Sequence, residues 1–342
     1  MRALAMVFAA VVLGLTVLGY GFLGALEDRL VTPLDPAGTR RIVQVPEDID
    51  ARELLRFAWG EDLVPSSWIL DVYASYLHTP GRLVGGEYEL GPFLTPVQLI
   101  ERVESGGLFE HTVSLPAGST IEEVAARLGR AGLTDPEAFV AAAHDPKRAE
   151  ALGVGGPSVE GFIYPDVWAF PRGLPAEELL RRFVRQVFEA LPSLERSAAR
   201  LGLTPYQLVI VASLVEHGPV PDEERRLYAA LLIERLQKGF ALEVAAADEY
   251  GRQRPGAPAD PRDDPWNTTD RPGLPRTPIG SPSLSALRAA ADPADTEPVF
   301  MVRRGGGRHV YCPDSACYLR ALERHAPGRR PQFPKRFGNR GS

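Results

Sequence analysis

The chain has 342 residues, of which 44% are hydrophobic and 24% are charged, and its formal net charge at pH 7 is −6. This length allows about two domains, and the composition is that of a globular protein with many loops, because glycine and proline are frequent. The slightly acidic balance argues against a strongly basic nucleic-acid-binding surface, so we expect no nucleic acid among the partners.

The N-terminus carries an uncharged apolar run over residues 3–26, directly after Arg2. A run of this length can span a bilayer with some tilt. The core of a cleaved signal peptide is shorter, at about 7–15 residues, and is followed by a small-x-small cleavage site, which is not evident here. We therefore predict an uncleaved signal anchor over 1–27, in a single-pass protein of the cell inner (plasma) membrane. Arg2 favours a cytoplasmic N-terminus, so the bulk of the chain is expected outside the cytoplasm.

A small α/β module is predicted over 41–108, after a Pro/Gly-containing linker over 28–40. Thr95 is a good N-cap and Pro96 suits the first helical position, which is how the last helix of this module is expected to begin. The predicted strands are 41–47 and 85–90, and the predicted helices are 50–59, 65–77 and 95–106.

A larger α+β module is predicted over 109–325. Its segment 251–283 is too rich in proline for regular structure, and a loop this long in a compact domain is usually functional or disordered. The basic, Pro/Gly-rich segment 326–342 is predicted to be a disordered tail. The predicted strands are 111–115, 298–304 and 308–312, and the predicted helices begin near Thr120 and cover 135–144, 176–191, 204–216, 223–239 and 283–293.

A glutamate lies at the end of the predicted helix 204–216, in the sequence ASLVEHG. The helix is apolar at helical spacing, so Glu216 should lie in the last turn of a mostly buried helix, with Gly218 in the left-handed conformation past its end. Burial and the negative end of the helix dipole both disfavour the ionised carboxylate. A carboxyl that stays protonated near neutral pH is what a general acid requires. The alternative is a surface glutamate at a frayed helix end.

Other catalytic patterns are weak in this sequence. It has no Gly-rich phosphate loop, no cluster of metal ligands and no nucleophile elbow, so we expect neither a metal nor a cofactor. Ser213 precedes Glu216 but lacks the glycines that flank a nucleophilic serine. Cys312 and Cys317 are close in sequence, and outside the cytoplasm they can form a disulfide or remain as two structural thiols.

Acidic and aromatic residues around the predicted loops are further candidates for a binding cleft. Aromatic faces beside a carboxylic acid are typical of sites that cleave sugars, although each aromatic residue by itself is more often part of the core. The candidates are Glu160, Tyr164, Asp166, Trp168, Trp266, Asn267 and His309.

Seven short segments, in this order along the chain, resemble the motifs of the endolytic murein transglycosylases, the YceG-like family. The resemblance runs from the membrane anchor to about residue 325. The segments are GGEYEL (85–90), TVSLPAGST (112–120), EGFIYPDV (160–167), ASLVE (212–216), LIERLQKGFAL (232–242), WNTT with GLPRTPIGSPS (266–283) and GRHVY (307–311).

The resemblance implies a fold and residue roles. The implied fold class is α+β, with an N-terminal transmembrane helix, a small LysM-like α/β module and a larger α+β catalytic domain. The catalytic glutamate of the family falls on Glu216. The residues implied to contact the substrate are Glu160, Tyr164, Asp166, Tyr250, Asn267, Thr268 and His309. The chain departs from the family pattern at Gly218, where a second glutamate is usual, and at Glu234, Glu243 and Ala245.

The implied activity is cleavage of the MurNAc–GlcNAc bond of nascent peptidoglycan without water. The MurNAc 6-hydroxyl attacks its own C1 and leaves a 1,6-anhydroMurNAc end, which helps to terminate glycan strand elongation. One carboxyl suffices for this reaction, whereas an ordinary glycosidase needs two, about 5–5.5 Å or 6.5–9.5 Å apart. The implied partners are peptidoglycan glycan strands and cell-wall synthases in the membrane.

Two alternatives stay open. A muramidase would hydrolyse the same bond, with Asp166 or Glu160 as its second carboxyl. A membrane-anchored scaffold protein would bind peptidoglycan with weakened or no catalysis, which the departures from the family pattern around Glu216 favour.

Overall fold

A computed structural model describes residues 2–65, 70, 82–190 and 192–337. The chain divides into two compact units. The N-terminal unit comprises residues 1–111 and 170–173, and the C-terminal unit comprises residues 112–169 and 174–342. Helices and two-stranded sheets occur together, so the expected mixture of α and β structure is confirmed.

The N-terminal unit begins with a long helix, α1 (Arg2–Val31). The stretch from Met6 to Val31 has a mean hydropathy of 2.2, and its most apolar part is fully exposed. This helix is therefore long and apolar enough to be a membrane span or a signal sequence. Near its end, Leu26 and Leu30 contact the core of the unit.

The rest of the N-terminal unit surrounds one antiparallel strand pair. β1 (Arg41–Val45) pairs with β2 (Gly86–Leu90), and the helices α2 (Ala51–Gly60) and α3 (Pro96–Glu104) follow the two strands. Alternate residues of both strands are buried, as the period of two in a strand requires. Capping boxes begin both helices, at Asp50 and at Thr95 as predicted. The predicted helix 65–77 lies outside the described residues apart from its positions 65 and 70.

From His111 onward the chain is mainly helical. β3 (His111–Leu115) and β4 (Asp166–Phe170) form one two-stranded sheet, and β5 (Phe300–Arg303) pairs antiparallel with β6 (His309–Cys312). The helices are α4 (Ile121–Arg130), α5 (Pro136–Ala143), α6 (Pro146–Ala151), α7 (Ala176–Ala190), α8 (Leu194–Arg200), α9 (Pro205–Glu216), α10 (Arg225–Gln237), α11 (Ala245–Gln253), α12 (Leu284–Ala291) and α13 (Ser315–His325).

Helix α9 is buried on every face, which is why its sequence is apolar without a polar stripe. All residues from Leu208 to Val215 are buried. The helix packs against α8, α10 and α12. The core of the C-terminal unit therefore fixes the position of the last turn of α9.

Of the two states left open for Cys312 and Cys317, the structure has the disulfide. The two residues form a disulfide bond with a Cα–Cα distance of 5.5 Å. It joins the end of β6 to the first turn of α13, which Asp314 caps.

The segment after α13 differs from the expected disordered tail. The carbonyl of Lys335 accepts a hydrogen bond from the amide of Ala241 at 2.7 Å, and the amide of Phe337 donates to Gly239 at 2.8 Å. The ring of Phe333 packs edge-on against Tyr318, with 5.7 Å between centroids. The basic, proline-rich composition of this segment did not indicate the packing of Phe333 or these two backbone hydrogen bonds.

Candidate active site

The end of α9 places Glu216 at the edge of the buried core. Thr204 caps the helix through a capping box with Gln207, and Pro205 occupies the first helical position, as the sequence indicated. The helix ends at Glu216, whose side chain is 11% exposed. The carboxyl is thus nearly buried, which contradicts the alternative of a frayed surface glutamate.

Arg225 and Ser283 bind the Glu216 carboxylate. Two guanidinium nitrogens of Arg225 donate to its two oxygens, both at 3.1 Å. The amide of Ser283 donates to Oε2 at 2.9 Å, and the Ser283 hydroxyl makes a short contact with the same oxygen. Each of these groups donates a hydrogen bond, so together they fix the position of the carboxyl oxygens. Burial and the helix dipole, which were considered from the sequence, did not predict these donors.

Arg225 also has partners besides Glu216. Its Nε lies 3.0 Å from a carboxylate oxygen of Asp222. One Nη donates to the hydroxyl of Ser283 at 2.7 Å and makes a short contact with the hydroxyl of Ser285. The guanidinium therefore joins the start of α10, the start of α12 and the end of α9.

The loop before α12 is anchored to the rest of the C-terminal unit, which positions Ser283. The amide of Gly118 donates to the carbonyl of Ser281 at 2.7 Å, and the amide of Ser281 donates to Ser119 at 2.9 Å. A glycine is required at Gly280, where φ is +153° and a Cβ would lie 2.4 Å from the Gly118 carbonyl oxygen.

His217 follows Glu216 and faces two carbonyl oxygens. Its Nδ1 lies 2.9 Å from the Ser213 carbonyl and its Nε2 lies 3.2 Å from the Gly118 carbonyl. A neutral imidazole carries one N–H, so it can donate to only one of them. The hydroxyl of Ser213 is buried and donates to the Ile210 carbonyl at 2.8 Å, a position that does not suit a nucleophile.

Gly218 is needed for a different reason from the one the sequence suggested. It does not have the positive φ of a left-handed C-cap. Instead, a Cβ at this position would lie 2.4 Å from the ring of Tyr228. The glutamate that is usual at this place in the family could not be accommodated unless that ring moved.

Glu160 is fully buried, so its carboxyl contacts protein atoms rather than a solvent-filled cleft. Its Oε2 accepts hydrogen bonds from the hydroxyl of Tyr250 at 2.9 Å and from the amide of Ile121 at 3.4 Å. Its Oε1 and the Tyr206 hydroxyl are buried without a hydrogen-bond partner among the described residues. Glu160 therefore holds the start of α4 against α11, and its position is that of a structural residue.

Burial raises the pKa of Glu160 to about 7, with a smaller contribution from the negative charge of Glu122, while the Tyr250 hydrogen bond opposes the shift. Burial likewise raises the pKa values of Tyr206 and Tyr250. The guanidinium of Arg254 covers Tyr250 and Trp266, at 5.0 Å and 5.1 Å from the ring centroids.

His309 is held by a buried carboxylate. Its backbone amide donates to Glu224 at 3.0 Å, and its Nδ1 lies 2.9 Å from the same carboxylate. The Tyr311 hydroxyl also donates to Glu224, at 3.3 Å. This group fixes β6 to the start of α10, one residue before Arg225.

The Pro-rich segment forms a hydrogen-bonded turn on α11. The Asn267 side-chain oxygen accepts from the amides of Thr269 at 2.9 Å and Asp270 at 2.7 Å. Thr268 is fully buried, and its hydroxyl donates to Asp248 at 2.9 Å. The segment is therefore ordered, and these two side chains are used within the fold.

The remaining predicted contact residues lie elsewhere in the C-terminal unit. Tyr164 is half-buried, and its carbonyl accepts from the Trp168 indole at 3.0 Å. Asp166 is exposed at the start of β4. In the described part of the chain, none of the predicted substrate-contacting residues hydrogen-bonds to Glu216. The structure brings Glu160 together with Tyr250, and Asn267 with Thr268.

The departures from the family pattern have local partners. Glu234 lies 2.8 Å from Lys238 on the same helix. Glu243 has a φ of +55° and lies 3.2 Å from the buried Arg235. Ala245 is exposed at the first position of α11.

Sequence reasoning did not identify Arg225, Ser283 or Glu224. Glu224 and Arg225 lie in the predicted amphipathic helix 223–239, where charged residues usually face solvent, and Ser283 ends the Pro-rich segment 251–283. The only signal was indirect, since Ser283 precedes an apolar helical pattern as an N-cap would. Within the described residues, no group of His, Cys, Asp and Glu is arranged to hold a metal ion.

Several known proteins are similar to this chain. A family model described as the YceG-like family matches residues 43–324. The endolytic murein transglycosylase of Streptococcus pneumoniae serotype 2 (strain D39) is 24% identical over 320 residues, which cover 83% of this chain and 57% of that protein. The protein of the same name from Bacillus subtilis (strain 168) is 18% identical over 303 residues, which cover 83% of this chain and 84% of that protein.

The chain thus spans just over half the length of the pneumococcal relative. A crystal structure of the yceG-like protein lmo1499 from Listeria monocytogenes superposes with a TM-score of 0.52 at 17% identity, over 83% of this chain and 99% of that one. This structural similarity supports the fold described above. The family match and the two relatives confirm the resemblance that the sequence motifs indicated.

Proposed function

The chain belongs to the YceG-like family, and on that basis we propose that it is a membrane-anchored endolytic lytic transglycosylase of peptidoglycan. It would cleave the MurNAc–GlcNAc bond of nascent strands, leave 1,6-anhydroMurNAc ends and so help to terminate strand elongation. The position of Glu216 supports this proposal most directly. The Glu216 carboxyl lies at the end of a buried helix, with donors that set its orientation. The resemblance of ASLVE to the family motif implies that this residue is the catalytic glutamate.

In the proposed reaction, Glu216 donates a proton to the leaving sugar oxygen and then accepts one from the MurNAc 6-hydroxyl. That hydroxyl attacks C1 and closes the anhydro ring. An intramolecular nucleophile needs no bound water, and its proximity lowers the entropic part of the barrier. The first step requires the protonated carboxyl, whereas in the structure both carboxyl oxygens accept hydrogen bonds from Arg225. We therefore propose that a bound glycan shifts Arg225 towards its other partners, Asp222 and Ser285.

The ion pair between Arg225 and Glu216 also favours the second candidate function. A scaffold protein that binds peptidoglycan without cleaving it does not need a free carboxyl group, and in the structure Glu216 is ion-paired with Arg225. A muramidase is less well supported, because Glu160 is fully buried and only Asp166 remains as the second carboxyl considered from the sequence.

We also propose locations and partners for the N-terminal unit. Helix α1 would anchor the chain in the inner membrane with the bulk outside the cytoplasm, and the β1–β2 module would be a LysM-like domain that holds glycan strands. Cell-wall synthases in the same membrane are the proposed protein partners. Protease added to spheroplasts should digest the chain down to its anchor, and full protection of the C-terminal unit would exclude this topology.

Mass spectrometry of peptidoglycan digested by the purified full-length chain tests the activity. Anhydro ends identify a transglycosylase, and reducing ends identify a muramidase. No release from strands that the protein nonetheless binds would identify a scaffold.

A further inference from the structure

A cavity of about 720 Å³ adjoins the Glu216 site. Arg225, which binds Glu216, lines it, as does Ser285, which Arg225 also contacts. Cavities that bind small molecules have volumes of about 300–1,000 Å³, so this one could hold a substituent of a larger ligand. The other polar lining residues are Ser193, Ser197, Asp222, Arg226, Arg288 and Asp292.

The three arginines that line this cavity differ in their partners. Arg225 is paired with Glu216 and Asp222. Arg226 is paired with Asp292 at 2.9 Å. Arg288 is exposed on α12 and has no acidic partner within the described part of the chain. The cavity therefore presents one guanidinium that lacks an acidic partner among the described residues, together with serine hydroxyls that can donate hydrogen bonds.

Helix geometry brings this charge close to the proposed catalytic carboxyl. Arg288 follows Ser285 by three residues on α12, so the two side chains lie on one helix face, roughly 5 Å apart along the axis. Ser285 contacts Arg225, and Arg225 binds Glu216. A substrate that places its scissile bond at Glu216 would thus have its neighbouring substituents near Arg288.

We propose that this cavity binds a carboxylate carried by the muramic acid substituent of the glycan, with Arg288 as its main cationic partner. The inference rests on the proposed function, in which the MurNAc ring adjoins Glu216. The sugar rings of the glycan are uncharged, so they do not need an unpaired cation. MurNAc carries a lactyl group, which is itself a carboxylate when free and otherwise bears a stem peptide that contains carboxylates. An exposed guanidinium beside hydroxyl donors suits such a group.

Binding to the full-length Glu216→Gln variant tests this proposal without turnover. The three probes are glycan strands that bear stem peptides, strands treated with an amidase so that the lactyl carboxylate is free, and a chitin hexamer that has no carboxylate. Arg288→Gln removes the charge, Arg288→Lys retains one, and Arg320→Gln is the matched control on an exposed face of α13.

We expect Arg288→Gln to weaken binding of the peptide-bearing strands about threefold to tenfold, with partial recovery in Arg288→Lys. Binding of the chitin hexamer should be the same in all variants, and Arg320→Gln should match the parent. A loss on the amidase-treated strands alone identifies the lactyl carboxylate, and a loss on the peptide-bearing strands alone identifies the stem peptide. A loss on both murein probes shows that the cavity accepts either carboxylate. Unchanged binding of both murein probes, or an equal loss with chitin, would overturn the proposal. Absence of anhydro products from the wild type would remove the catalytic proposal while leaving this binding result intact.

Discussion

The guanidinium of Arg225 meets the carboxylate of Glu216 edge to edge, with both nitrogen–oxygen distances at 3.1 Å. Two parallel charge-assisted hydrogen bonds fix the plane of a carboxylate as well as its position. Arg225 is the first residue of α10, and Ser283, the cap of α12, contacts the same carboxylate. The carboxyl group therefore joins the start of two helices to the end of a third.

Arg225→Lys should lower kcat about 10- to 100-fold with little change in KM. Lysine keeps the charge but cannot make the two-point contact, so the carboxyl would lose its orientation towards the scissile bond. Steady-state kinetics on long glycan strands would measure both constants, with Arg320→Lys as the control. A rise in KM at unchanged kcat would show that Arg225 binds substrate instead of positioning Glu216.

Glu216→Gln should abolish glycan cleavage while the protein stays folded and still binds strands. Glutamine keeps the shape of the side chain but cannot donate or accept the proton, and such a group is typically worth about 10²- to 10⁴-fold in rate. Anhydro products would be quantified for the wild type, Glu216→Gln and Glu160→Gln. Undiminished product from Glu216→Gln would end the assignment.

Glu160→Gln should stabilise the protein at alkaline pH but not at acid pH. Below pH 4.5 the carboxyl is protonated in both the folded and the unfolded chain. Between pH 4.5 and about 7 the unfolded chain loses this proton while the folded state retains it, so the free energy of unfolding falls across this range. A tenfold change in proton affinity is worth about 1.4 kcal/mol, so the wild type loses up to roughly 3 kcal/mol that the glutamine variant retains.

Denaturant unfolding of wild type and Glu160→Gln at pH 5 and pH 8 would measure this difference. The exposed Glu137 in the first turn of α5 offers a matched control, since Glu137→Gln should shift stability little and equally at both values. An equal effect of Glu160→Gln at the two pH values would contradict the burial argument.

Gly218→Ala should destabilise the C-terminal unit by about 1–3 kcal/mol. The added Cβ would lie 2.4 Å from the Tyr228 ring, which is itself buried and cannot move freely. Gly107→Ala is the control, because its nearest neighbour would be 3.6 Å away. Thermal unfolding of the three proteins would measure the effect. Equal stability of Gly218→Ala and wild type would show that the Tyr228 ring can move aside without loss of stability.

The sequence alone determined the local features of this protein. Its uncharged N-terminal run predicted α1, and Thr204 with Pro205 predicted the start of α9, because capping and apolar spacing act within a few residues. Motif order identified the family and predicted Glu216 as the catalytic residue. Short elements such as α6, α8 and α11 were missed, because so few residues carry little periodic signal.

Only the tertiary structure decided what surrounds the carboxyl groups. Arg225 and Ser283 are 9 and 67 residues from Glu216 in sequence, and Tyr250 is 90 residues from Glu160. Such pairs form because helices pack, and local periodicity does not report which distant side chain a packed helix presents. The same packing buried Glu160 and set Tyr228 over Gly218. Charge state and steric tolerance at these positions therefore depend on the assembled core rather than on the residues beside them in the chain.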